Sequence, residues 1–518
     1  MHLKHPGVKP ILKISVFATG CAGIVAEFVL STLATYLIGN AVLQWTLVMS
    51  LMLFAMGVGS RVSKHFKNHL LDVFIFIEFT LSLLCAGSAV LVYAAAAYSS
   101  YTNLLIYFWA MCIGCLIGCE IPLVTRLNQN YESLRFNIAG IMEKDYYGSL
   151  LGGLFFAFVA LPYLGMTYTP IILGVINFSI ASLFVFFFLD LVYRPKTVLA
   201  VFSVCTLLLI ALAVTAKPII LFSEQRQYKD KIIYAHQSRY QKIIITQWKD
   251  DFWLFINGQE QFSTFDEEKY HEPLVHPAMA LTANRASVLI LGGGDGLGLR
   301  EIWKYDDVKK VTMVDLDPAM TALAQEHPIL AAINRGSMRD PRLTVINRDA
   351  NAFLKDDNRL YGVIIIDLPD PDTIDLMHLY SERFYKLVRR HLIAGGVMVT
   401  QAASPHFAPT AFRCIIKTIN AAGFSVLPYH NQIPTMGEWG WVLAVRDNDM
   451  DAITLKKKIQ KISFDHLNTR FINSDAIMAM IHFGKGVLDE DLMKRININT
   501  EINPVLHRYY HTGAWDMY

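Results

Sequence analysis

Ala286-Ser287-Val288-Leu289-Ile290-Leu291-Gly292-Gly293-Gly294-Asp295-Gly296 is the stretch whose reading decides the fold. Its first half is a run of branched apolar residues without alternation, which reads as a strand buried on both faces. Its second half is glycine around a single acid, so the strand runs directly into a tight turn that opens a helix. Strand, glycine turn and helix in that order begin a doubly wound α/β sheet. Glycines let the backbone come close to a ligand, and the helix start offers free N–H groups.

Downstream, a second strand over 310–316 carries Asp315, 19 residues beyond Gly296, where an acid can accept both hydroxyls of a ribose. Further strands are expected at 343–346, ending near Asp349, at 362–366, ending at Asp367, and at 395–400. Upstream, 242–248 and 252–256 read as strands, Asn257-Gly258 as a hairpin turn, and 266–282 as a helix. The spacing Gly-x-Gly-x-Gly at Gly292, Gly294 and Gly296, without a hydride-transfer partner, favours an S-adenosyl-type nucleoside over a nicotinamide. Charge narrows the choice. An α-carboxylate on the donor's tail would be repelled by Asp295, whereas a decarboxylated donor ends in a cationic amine that Asp295 attracts. Asp367 and Asp370, in Asp-Leu-Pro-Asp-Pro, suit a polycationic acceptor.

The chain has 518 residues, 53% hydrophobic and 17% charged, with a net charge of +2. Ordinary soluble domains are about 25% charged. Only 20 charged residues lie in positions 1–217, against 70 in positions 218–518, where the balance is −2. The first part reads as membrane and the second as a soluble unit. This excludes a wholly soluble enzyme, a disordered chain and a disulfide scaffold, and the lack of a strongly basic domain argues against nucleic acid. Cys112, Cys115 and Cys119 share a helical face but read as small buried residues.

Seven apolar stretches are long enough to span a bilayer: 15–38, 41–59, 70–98, 104–124, 148–164, 170–192 and 198–216. No signal-peptide cleavage pattern precedes them. Lys4, Lys9 and Lys13, then Arg61, Lys64 and Lys67, then Arg126, Arg135 and Lys144, then Arg194 and Lys196 fall in alternate connections, which the positive-inside rule makes cytoplasmic. Seven crossings from that start would carry the soluble unit outside, unless 148–164, with Gly148, Gly152 and Gly153, is re-entrant. Cytosolic substrates argue for the inside. Glu27, Glu78 and Glu120 lie within spans, where an acid marks either an internal pathway or a packing hydrogen bond.

With these residues in place, the chain resembles the spermidine synthase (polyamine aminopropyltransferase) family, specifically its membrane-embedded bacterial branch, from about residue 238 to 445. Five ordered blocks carry the resemblance: Ser238-Arg239-Tyr240-Gln241, Tyr270-His271-Glu272, Leu291 to Gly296, Met313-Val314-Asp315-Leu316-Asp317, and Asp367-Leu368-Pro369-Asp370-Pro371. It implies an all-α transmembrane bundle of about seven spans followed by a Rossmann-like, methyltransferase-type α/β domain that a small β-hairpin subdomain precedes. Expected boundaries are 1–217 for the bundle, 218–282 for the β subdomain and its helix, 283–448 for the Rossmann-like domain and 449–518 for an extension without assigned chemistry.

The resemblance implies that Gln241, Gly292, Gly294, Asp315, Asp349 and Ala350 bind the nucleoside, Ala350 standing where the family usually has glycine. His271, Asp295 and Asp370 would bind the polyamine, and Asp367 would accept the proton. Decarboxylated S-adenosylmethionine is the implied co-substrate, with no tightly bound cofactor and no metal. Putrescine or a related amine is the acceptor, giving spermidine and methylthioadenosine; the lipid bilayer and a second copy of the chain are further expected partners. Two departures bear on the acceptor: Met436 replaces a family tyrosine, and Asp372-Thr373-Ile374 lacks a customary Gly-Pro. The residues alone leave two alternatives open, an S-adenosylmethionine-dependent methyltransferase and a membrane polyamine transporter or sensor with a ligand-binding soluble domain.

Overall fold

The computed structural model describes residues 8–39, 41–99, 101–129, 131, 133–447 and 450–515. Lys4 and the expected boundary at Asn448, both used above, lie outside them. The chain divides into two compact units, Met1–Lys231 and Ile232–Tyr518.

The first unit is helical: α1 (Val8–Ile38), α2 (Ala41–Val62), α3 (Leu70–Ala96), α4 (Thr102–Asn128), α5 (Leu134–Phe155), α6 (Gly165–Phe188) and α7 (Pro195–Gln227). Among the described residues six helical stretches, not seven, are long and apolar enough to cross a bilayer. The difference arises because 148–164 and 170–192 belong to one helical stretch, Leu134–Leu191, in which a π-helical segment, Phe156–Leu164, joins α5 to α6. Gly148, one of the glycines noted above, is a packing contact: a Cβ on it would lie 2.0 Å from the Phe17 carbonyl oxygen of α1. A Cβ on Gly118 would likewise fall 2.0 Å from the Met56 carbonyl oxygen of α2, so glycine there permits the close packing of α4 on α2. The second unit does not begin at 218: α7 continues through Pro218 to Gln227, and the division between the units falls after Lys231.

The second unit opens with an antiparallel sheet, β1 (Lys231–Gln237), β2 (Lys242–Trp248), β3 (Asp251–Ile256) and β4 (Gln259–Ser263). The β3–β4 turn is the expected Asn257-Gly258, with φ of +51° and +84°. Helix α8 (Glu268–Leu281) then buries Leu274, Val275, Ala278 and Met279 in the main core. The larger sheet contains β5 (Ser287–Gly292), β6 (Lys310–Asp315), β7 (Leu343–Asn347), β8 (Tyr361–Asp367), β9 (Leu392–Gln401), β10 (Ser425–Ile433) and β11 (Gly437–Val445). Its order is β10-β11-β9-β8-β5-β6-β7. The strands from β9 to β7 run parallel, while β11 and β10 form an antiparallel edge. Strand order reverses between β5 and β8, which is where such sheets bind ligands.

Residues after 450 form part of this unit. The buried Glu272 carboxylate of α8 accepts the backbone N–H groups of Arg470, Phe471 and Ile472 at 2.7, 2.8 and 2.8 Å. Asn499, fully buried, donates to the carbonyls of Met377 and Tyr380. Replacing Glu272 by alanine strands three donors. Glu272→Ala should therefore lower stability by roughly 3 kcal/mol or more, seen as a lower urea midpoint together with faster amide exchange at residues 470–472.

Candidate functional site

The turn after β5 is built on a close backbone approach. Gly292 pairs with Asp367 across the β5–β8 ladder, and a Cβ on Gly292 would fall 1.9 Å from the Asp367 carbonyl oxygen. With φ of +82° and +63°, Gly292 and Gly293 fold the chain back so that Gly293 N–H donates to that same oxygen at 3.1 Å. Gly294 then lies against β6, where a Cβ would be 2.5 Å from Asp315 Oδ2. Asp315 Oδ1 accepts the Asp317 N–H at 2.9 Å, and burial pushes its pKa up to about 6 despite that bond.

The other residues expected to meet the nucleoside lie at the same end of the sheet. Gln241 sits at the start of β2, in a turn that Ser238 fastens: its hydroxyl accepts the N–H groups of Tyr240 and Gln241 and donates to Asp317 Oδ2 at 2.7 Å. Asp317, whose Oδ1 also accepts the Ala319 N–H at the start of the next helix, is therefore a clasp between the small sheet and the large one. Asp349 follows β7 and caps the helix Ala350–Asp356, accepting the Ala352 N–H at 2.7 Å. His378, 3.4 Å from its other oxygen, holds the carboxyl below its usual range. Ala350 is buried in the first turn of that helix.

His271, Asp295 and Asp367 converge, each offering an atom within 4.8 Å of the other two. These are metal-ligand residue types, but His271 is held as a cation. Its Nδ1 donates to Glu267, with the backbone oxygen at 2.9 Å and Oε2 at 3.1 Å. Burial alone would depress this imidazole; the bond to Glu267 and the charges of Asp295, Glu267 and Asp367 outweigh it and raise its pKa to about 9. Glu267 is opposed by burial too, yet His271 and Arg300 hold it at about 2. Asp295 accepts the Leu297 N–H at 2.7 Å through Oδ1. Tyr270 donates its hydroxyl to Asp367 Oδ1 at 2.7 Å. Burial, reinforced by Asp295 and opposed by His271 and Tyr270, pushes Asp367 up to about 6.

Asp370, three residues on, is gripped at both oxygens. Gln401 donates to Oδ1 at 3.0 Å and the hydroxyl of Tyr510 to Oδ2 at 2.6 Å. Burial raises this acid to about 6 even so. Gln401 is in turn oriented by the Ala403 N–H, which donates to its Oε1 at 3.0 Å from a backbone held at φ of +60°, a strained angle for a residue with a Cβ. Tyr380 donates to the Pro369 carbonyl at 2.8 Å. Tyr270, Gln401, Tyr380 and Tyr510 were not foreseen as site residues. Tyr270 sits in the block that contains His271, which is a usable signal; Gln401 and Tyr510 come from 31 and 140 positions away and carry none.

Residues 267–457 match the family model for the spermine/spermidine synthase domain. A polyamine aminopropyltransferase 2 of Aquifex aeolicus is 39% identical over 97% of this chain and 99% of its own. A polyamine aminopropyltransferase of Oceanobacillus iheyensis is 37% identical over 96% of each chain. Solved structures with matching regions include a spermidine synthase in complex with the transition state analogue AdoDATO, 27% identical, covering 51% of this chain and 88% of that one at a TM-score of 0.46. With relatives of this identity aligned along nearly its whole length, the chain belongs to the spermidine synthase (polyamine aminopropyltransferase) family.

Proposed function

We propose that this aminopropyltransferase uses putrescine or a closely related diamine as acceptor, with Asp367 as proton acceptor. The observation that carries the reading is Asp367 itself: a desolvated carboxylate at the end of β8, bonded by Tyr270 on Oδ1 and with an oxygen within 4.8 Å of ligand atoms of Asp295 and His271. The co-substrate is decarboxylated S-adenosylmethionine, and no tightly bound cofactor takes part. Asp315 holds the ribose hydroxyls, Asp349 and Ala350 border the adenine, and Gln241, Gly292 and Gly294 complete the nucleoside side. Asp295 and His271 line the passage of the amines, and Asp370 holds the acceptor's far ammonium.

A primary ammonium cannot attack until it loses a proton, which Asp367 takes in line with the donor. The freed nitrogen lone pair forms a C–N bond to the methylene next to the sulfonium. The C–S bond breaks with its electrons going to sulfur, leaving neutral methylthioadenosine. Fixed carboxylates that align two cations supply orientation and electrostatic stabilisation.

The first unit anchors the enzyme in a bilayer. A straight helix of 58 residues would be about 87 Å long, nearly three times the hydrocarbon core. We read it as two crossings hinged at Gly165, whose φ is +60°, making seven in all. The catalytic unit is assigned to the cytoplasm, where nucleoside donors and polyamines are made; seven crossings then require the Lys/Arg-rich connections to face outward, against the usual bias. Proteolysis of residues 232–515 in inverted vesicles but not in intact cells is the expected result, and the reverse pattern would overturn the assignment.

A second role, in polyamine transport or sensing, is motivated by Glu78 and Glu120. Both are buried in the bundle, each with one carboxylate oxygen lacking a hydrogen-bond partner among the described residues. Polyamine flux that survives Asp367→Asn and is lost in Glu120→Gln would support it.

Purified full-length protein should release methylthioadenosine from decarboxylated S-adenosylmethionine only when putrescine is present. Transfer of a methyl group from the intact donor would refute the reading. Asp367→Asn should lower kcat by about 100-fold or more while leaving methylthioadenosine affinity within about tenfold, or 1.4 kcal/mol. Because Asp367 and Asp370 are both pushed up to about 6, each stays protonated to a higher pH than an exposed acid. Below pH 6 neither holds an ammonium, so kcat/KM for the amine should fall with a slope steeper than one, and Asp370→Asn should reduce that slope to one.

A further inference from the structure

The C-terminal segment closes over the loop that carries Asp367 and Asp370. The helix Leu506–His511 places Tyr510 with its hydroxyl donating to Asp370 Oδ2 at 2.6 Å. Next to it, His511 Nε2 is 2.5 Å from the Asp372 carbonyl oxygen, and the His507 N–H meets Met377 Sδ at 3.1 Å. Trp515 then packs its ring 4.7 Å from that of Tyr510, 5.7 Å from that of Phe407 and 6.5 Å from that of Trp439. It also donates Nε1–H to the Tyr510 carbonyl at 3.0 Å, while the Ala514 N–H donates to the Phe407 carbonyl at 2.8 Å. Tyr510 and Leu506 are buried, so this is an integral face of the unit.

We propose that the segment 506–515 forms the acceptor wall of the active site, with Tyr510 as a positioning residue for Asp370 that sets acceptor length; this rests on the aminopropyltransferase reading above. Asp370 has two oxygens and Gln401 occupies one, so the direction of the other is governed by Tyr510. A carboxylate fixed on both sides presents its remaining lone pairs along one line, and an ammonium must arrive along that line. The Tyr510 oxygen keeps lone pairs that can accept from the same ammonium. The bulky Trp515 ring packs against that of Tyr510 at 4.7 Å, and in this proposal the pair ends the space open to a diamine whose far nitrogen reaches Asp370. Met436 brings no hydroxyl to the site; Tyr510 brings one from the other end of the chain.

Two variants of the full-length protein test this. Tyr510→Phe keeps the ring and removes the bond, and should weaken putrescine binding to methylthioadenosine-loaded protein about tenfold or more, with the same rise in KM for putrescine. KM for the donor, methylthioadenosine affinity and the thermal midpoint should stay at parental values. Trp515→Ala should open the wall and raise kcat/KM for spermidine as acceptor relative to putrescine by at least fivefold. Unchanged putrescine binding in Tyr510→Phe overturns the proposal, as does an equal loss of donor and acceptor affinity, which would mark general damage. Calorimetry of putrescine binding does not require turnover. Parental protein that binds putrescine but transfers nothing would refute the function proposed above and still leave the wall decided by Tyr510→Phe.

Discussion

Everything in the catalytic unit that touches its candidate site depends on the backbone of β5 passing against that of β8 where no side chain fits. A Cβ on Gly292 would lie 1.9 Å from the Asp367 carbonyl oxygen, so the pairing exists only with glycine there. The turn that follows brings Gly294 against Asp315 on the other neighbouring strand. One tight turn thereby sets the spacing between an acid on β6 and an acid on β8. The reversal of strand order on either side of β5 puts both acids at the place where sheets of this kind bind ligands.

The second requirement is electrostatic. Asp315, Asp367 and Asp370 are all desolvated enough to be raised to about 6, and each is prevented from rising further by donors specific to it. Tyr270 serves Asp367, while Gln401 and Tyr510 serve Asp370. A cationic His271 adds positive charge beside Asp295 and Asp367, and is itself secured by Glu267, which Arg300 keeps ionised. The result is a cluster of carboxylates whose negative charge is compensated in part by the groups around it. The unit's near-neutral balance is thus an average over a polarised interior.

Residues 450–515 changed most between sequence and structure. As a string they contain short helical signals and no recognised block, and nothing about Tyr510 distinguishes it from Tyr509 beside it. In the fold, Glu272 binds the backbone of 470–472, Asn499 binds the carbonyls of Met377 and Tyr380, and Tyr510 reaches Asp370. These links run between segments 119 to 200 positions apart, beyond the reach of any local pattern. The first unit teaches the converse: apolar length marked seven stretches, and only the backbone shows that 148–164 and 170–192 belong to one helical stretch, leaving six among the described residues.

What the order of residues determined by itself was the sheet's start, its glycine turn and the acids at strand ends, because branched runs, glycines and strand-terminal carboxylates are local features with local physical causes. The apolar first part and the more charged second part were equally legible, since composition is read residue by residue without reference to the fold. Tertiary structure alone decided which hydroxyls and amides hold those acids and how a segment 140 residues away comes to grip Asp370. Hydrogen bonds between distant segments depend on where the fold delivers their partners, and that delivery is a property of the packed chain as a whole.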